Sequence, residues 1–165
     1  MKSRSLKYLL LSLLALILLS GCIIIVEKRY YPERTIERLG NAVITYDNPT
    51  ARSCFAYNVN VISLDKNQIW TASQAANYFT FEYYPYENPT FDFYNITVTR
   101  SGDYATFRGR LYMKGLRNDN WFHEITGYIT FRLIRISGDN WLINGLDLGE
   151  LNDLKVEYWQ PKSIE

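Results

Sequence analysis

From Trp121 to Ile136 sixteen residues run without a turn signal, rich in β-branched and aromatic side chains. Strands usually hold ~5–6 residues. A strand of that length in a small domain must bend strongly, and Gly127 at its middle offers the place for a kink or bulge. Its neighbours in sequence are strands too. Phe91–Thr99, Tyr104–Lys114 and Trp141–Leu148 are separated by turns at Arg100–Asp103, Arg117–Asn120 and Ser137–Asn140. Tyr104–Lys114 alternates: Ala105, Phe107, Gly109, Leu111 and Met113 on one face, Tyr104, Thr106, Arg108, Arg110, Tyr112 and Lys114 on the other. That is a half-buried strand with a solvated basic side.

Helical signals come earlier in the chain. Pro32-Glu33 marks a helix start, where Pro suits the first turn and an acid favours the dipole. Ile36, Leu39, Val43 and Ile44 then fall on one face. Asn48-Pro49 marks a second, short helix to about Phe55, with Asn48 as its cap. Asn58–Leu64 reads as a strand and Asp65-Lys66-Asn67 as a turn. Thr71-Ala72-Ser73-Gln74 has the spacing of a capping box, opening a third helix through Phe79. The expected class is therefore α+β: three N-terminal helices packed in a strongly curved antiparallel sheet.

This order resembles the nuclear-transport-factor-2-like family, also called cystatin-like or ketosteroid-isomerase-like. The carrying residues are the helix Thr35–Tyr46, the helix after Asp47-Asn48-Pro49, the segment Asn58–Ser63, the helix from Thr71, and the ending Phe131–Ile143 with its Gly138-Asp139 turn and Trp141-Leu142-Ile143. The resemblance implies a sheet wrapped around helices into a cone, whose apolar interior holds a ligand. Such folds host isomerases, dehydratases, small-molecule binders and assembly domains, so fold does not choose a function.

The N-terminus carries an address. Lys2, Arg4 and Lys7 precede an apolar run from Leu9 to Leu19, then Leu19-Ser20-Gly21-Cys22. A basic start, an apolar core and small residues make a secretory signal. The last four residues resemble the lipobox of bacterial lipoproteins, which implies cleavage before Cys22, its lipidation, and membrane attachment through that lipid. Apolar residues continue to Val26, so an uncleaved anchor is the alternative. Ile at position 23 implies, by the same resemblance, the outer membrane in a Gram-negative cell. The expected division is 1–21 leader, 22–31 lipidated tether, 32–148 domain and 149–165 extension. Losing three cations turns a net charge of +1 into 15 basic against 17 acidic residues. No basic excess remains for nucleic acid. Cys54 is left as a lone thiol, expected buried and inert.

Candidate chemistry is sparse. His123, the one histidine, shares parity with Trp121, Ile125 and Phe131, and is either a general acid/base or a hydrogen-bonded structural residue at the cone's rim. Asp147 and Asp65 are the carboxylates that could pair with it. Aromatic residues crowd Tyr78–Tyr94, and a ligand would be met by Tyr46, Tyr78, Phe79, Tyr83, Phe93, Trp121, His123 and Trp141. One histidine and two cysteines offer no metal cluster, and no phosphate loop or cofactor motif is present. A binding domain for an apolar or aromatic-stacking ligand is the first reading. An isomerase- or dehydratase-type enzyme and an assembly subunit forming a homodimer through its sheet are the alternatives.

Overall fold

The computed structural model describes residues 31–64, 66–80, 90–116, 121–138 and 140–158, the last four by backbone alone. Cys22, Asp65, Tyr83 and the leader lie outside the described residues. Among those described are three helices and six strands: α1 (Glu33–Ile44), α2 (Asn48–Ser53), β1 (Phe55–Ser63), β2 (Lys66–Thr71), α3 (Ala72–Phe79), β3 (Thr90–Ser101), β4 (Tyr104–Leu116), β5 (Trp121–Ser137) and β6 (Asn140–Tyr158).

All six strands form one sheet in the order β2-β1-β6-β5-β4-β3. The sheet is mixed, not antiparallel as expected, because β1 runs parallel to β6. The chain makes that pairing after completing the rest of the sheet, so no local turn signals it. Lys66–Thr71, read in part as a turn, pairs antiparallel with β1 as an edge strand. Its residues are exposed except for the half-buried Trp70, so it lacks the apolar alternation that marks a strand. β6 does not stop at Leu148: it pairs with β5 as far as Tyr158. The first ten residues of the expected extension thus belong to the sheet.

The helix ends follow local chemistry. α3 carries the complete capping box between Thr71 and Gln74. In α2 the cap is Asp47, not Asn48: its carboxylate accepts from the Thr50 backbone N–H at 3.1 Å. Pro49 is displaced by one position, where its missing N–H is still harmless.

Alternation on β4 sorts as the sequence requires, with Ala105, Phe107, Gly109, Leu111 and Met113 buried. They join Ile125, Ile129, Phe131 and Leu133 of β5 and Ile143 and Leu146 of β6 on the concave face. Phe79 plugs that face from α3. Its ring centroid lies 6.2 Å from Phe55, 5.9 Å from Phe91 and 6.0 Å from Phe131. Around Phe79 the described side chains therefore pack closely on the concave face.

Candidate functional site

Open space lies at the edge of the cone, where α1 crosses β3. Ile36, Gly40 and Ile44 fall on one face of α1 by helical spacing and look across at Phe91, Phe93 and Ile96 of β3. Together with Phe107 they line a cavity of about 600 Å³, within the range of small-molecule sites. Glu33, Glu37, Asn41, Thr90 and Asp92 complete its lining.

Three local features shape it. Gly40 lets helix and strand approach: a Cβ there would lie 2.9 Å from Phe91 Cδ1. A glycine within a helix weakens it, so its presence is itself a sign of close packing. The ladder between β3 and β4 slips between Tyr94 and Thr97, with Asn95 at φ 52°. That bulge re-aims the strand and brings Ile96 to the cavity. The guanidinium of Arg100 meets both oxygens of Glu33, at 2.6 and 2.7 Å, tying the first turn of α1 to the end of β3. The Thr90 hydroxyl oxygen is buried and has no hydrogen-bond partner among the described residues.

The expected site residues scatter relative to this cavity. Phe93 lines it. Phe79 and Trp141 are 0% and 3% exposed core residues, and the Trp141 carbonyl accepts from the Thr35 hydroxyl at 2.9 Å. Tyr78 is half-buried and packs its ring against Trp70 and Phe79 at 5.4 and 5.0 Å. Tyr46 sits just beyond α1 with φ 56°, packed on the core. Trp121 is half-buried at the start of β5.

His123 faces the concave side, as its parity predicts, and is 4% exposed. Its carboxylate partner is Asp153 of β6, with Nδ1 2.6 Å from Oδ1. Asp147 is not the partner. It pairs across the ladder with Thr130, seven residues further along β5, roughly 20 Å away at the rise of a strand. Its side chain accepts from the Gly149 backbone N–H at 3.1 Å. Neither His123 nor Asp153 lines the α1–β3 cavity. Among the described residues, no group of three or more His, Cys, Asp or Glu side chains is arranged to hold a metal ion.

The convex face is mixed in character. Tyr94 and Tyr104 are exposed, while Arg108 pairs with Glu150 at 2.8 Å and stacks over Tyr128.

Sequence reasoning missed Glu37, Gly40, Asn41, Thr90, Phe91 and Ile96 as a group. The available signal was Gly40 inside an otherwise apolar helix face. Nothing local says that β3, some fifty residues later, lies opposite.

No protein-family model matches the chain, and no curated protein does. Solved structures do. A candidate aromatic ring hydroxylase from Novosphingobium aromaticivorans aligns over 78% of this chain and 94% of its own, with 18% identity and a TM-score of 0.59. A candidate ketosteroid isomerase from Shewanella frigidimarina aligns over 70% and 92%, with 17% identity and a TM-score of 0.52. A nuclear transport factor 2-like superfamily protein from Salmonella enterica aligns over 79% and 92%, with 13% identity and a TM-score of 0.54. At such identities it is the fold that is shared, and the domain of this chain has the nuclear-transport-factor-2-like fold.

Proposed function

We propose that this protein is a lipid-anchored lipoprotein of the cell envelope, whose domain binds a small, mainly apolar ligand in the α1–β3 cavity. The carrying observation is the cavity: about 600 Å³, with a largely apolar lining set between a helix and an edge strand. The anchor rests on Leu19-Ser20-Gly21-Cys22 after its apolar run.

Both halves are testable on the full chain held in zwitterionic lipid nanodiscs. Titration with 2-phenylethanol should shift the methyl NMR signals of Ile36, Ile44 and Ile96. Asn41 is exposed at the cavity mouth, so Asn41→Trp should block those shifts without lowering Tm. Shifts that persist in Asn41→Trp would place binding elsewhere. In cells, Cys22→Ser should abolish palmitate labelling and leave the precursor uncleaved.

A second reading is favoured by the short contact of His123 with Asp153. A buried imidazole oriented by a carboxylate is a recurrent acid/base arrangement. In this reading the protein is an isomerase- or dehydratase-type enzyme, and the candidate ketosteroid isomerase among its structural neighbours supports that reading. A small molecule turned over by the wild type, and not by His123→Gln, would move the assignment to this reading.

A further inference from the structure

The α1–β3 cavity has a shape as well as a volume. We infer that its occupant is a straight alkyl chain, lying lengthwise between helix and strand. The inference rests on the cavity being a binding site, and adds the chemical class of what enters it.

The cavity is a trough. Its lining on α1 runs from Glu33 to Ile44, the full helix, a length of ~16 Å at the helical rise per residue. On β3 it runs from Thr90 to Ile96, ~20 Å at the rise of a strand. Two separated contacts keep helix and strand alongside each other: Gly40 against the Phe91 ring, and Glu33 with Arg100. A volume of about 600 Å³ drawn out over that length admits a linear body better than a rounded one.

The polar lining residues stand at its margins. Glu37 and Asn41 are exposed, one helical turn apart on the rim. Thr90 and Asp92 alternate with Phe91 and Phe93 along β3, so their side chains turn toward the convex face. Glu33 is held by Arg100. That leaves Ile36, Ile44, Phe91, Phe93, Ile96 and Phe107 facing the space. The bulge after Tyr94 returns Ile96 to the concave side: a Cβ on Gly109 would lie 3.3, 3.4 and 3.5 Å from Phe93, Phe107 and Ile96. Ile44 and Ile96, one on each wall, are 38% and 52% exposed, so aliphatic carbon there meets water. A polar atom placed between these walls would give up hydrogen bonds to water and gain none. The enclosed part of the occupant is therefore hydrocarbon, with any polar head beyond an end of the trough. Two sources can supply such a chain, a free lipid or the lipid proposed at Cys22.

Linear alcohols from n-butanol to n-decanol, titrated into the full chain in zwitterionic nanodiscs, test the assignment. The Ile36, Ile44 and Ile96 methyl signals are the readout, against the free aqueous concentration of each alcohol. Affinity should rise about fourfold per added methylene, the equivalent of ~0.8 kcal/mol, at least as far as n-octanol. Cyclooctanol closes the same carbons into a ring. Relative to each compound's partition into empty nanodiscs, n-octanol should bind about tenfold more tightly than cyclooctanol. Ile44→Trp, which closes one end of the trough, should halt the rise at a shorter chain. The Cys22→Ser chain, run in parallel, separates the two sources: a response in that variant alone means that the wild type's own lipid already fills the trough, and supports the alkyl assignment. Cyclooctanol matching n-octanol, or a rise unchanged by Ile44→Trp, would overturn that assignment and leave the cavity as a binding site. Silence of all three methyl groups toward every probe, 2-phenylethanol included, in both chains would overturn the cavity reading and this inference together.

Discussion

Asp47 shows how one carboxylate sets a helix boundary. Hydrogen bonds from the hydroxyl and the backbone N–H of Thr50 hold its carboxyl below the usual range. A lowered folded-state pKa adds stability that is fully present above the unfolded value of ~3.9, and is lost as pH falls through the lower folded value. Asn caps a helix as well as Asp does, and does not titrate. Between about pH 5 and pH 2, thermal melts should therefore show the wild type losing Tm relative to Asp47→Asn. Parallel curves would mean that the cap contributes nothing to the pH dependence. Next along, Cys54 ends the same helix fully buried. Burial pushes its thiol upward, only partly opposed by the hydrogen bond and charge of Arg38. A thiol with little thiolate and no access reacts slowly. Alkylation at pH 8 should be slow on the native protein and rapid in denaturant. Equal rates would show that the α2–β1 junction opens freely.

At the scale of elements, β5 is the member under most constraint. It pairs with β4 on one side and β6 on the other over nearly its whole length. Gly127 has φ 139°, and a Cβ there would lie 2.0 Å from the Glu150 carbonyl oxygen. No L side chain fits without moving β6 away. Gly127→Ala should destabilise the domain by about 3 kcal/mol or more, at the upper end of single substitutions, as read by denaturant melts. A neutral effect would mean that the bend lies elsewhere. Gly127 was legible because a glycine in the middle of a sixteen-residue strand has few other uses. The capping box at Thr71 was legible for a similar reason, since all its partners lie within four residues. β2 was not: Lys66–Gln68 is polar on both faces, and only the partner strand β1 makes it a strand.

Over the whole molecule, the aromatic residues divide between two tasks. Phe55, Phe79, Phe107 and Phe131 close the concave side of the sheet, while Phe91 and Phe93 both touch that cluster and line the cavity. Phe79 is the hub, with ring contacts to four residues spread over α3, β1, β3 and β5: Tyr78, Phe55, Phe91 and Phe131. Phe79→Ala should cost about 3–5 kcal/mol by loss of burial and creation of a void. A loss below about 1 kcal/mol would show a centre able to collapse or already hollow. The α1–β3 cavity lies beside this packing, at the edge of the sheet.

The sequence by itself determined the features that close over short distances. Cap signals and periodicity marked helical segments and the four long strands, parity turned His123 inward, and the α+β order suggested the fold. Tertiary structure alone decided which distant segments meet. The parallel pairing of β1 with β6, the choice of Asp153 over Asp147 beside His123, and the facing of α1 by β3 all depend on how a bent sheet returns the chain on itself. Local side-chain chemistry carries no record of that register, because one bulge or one extra ladder pair shifts every partner beyond it.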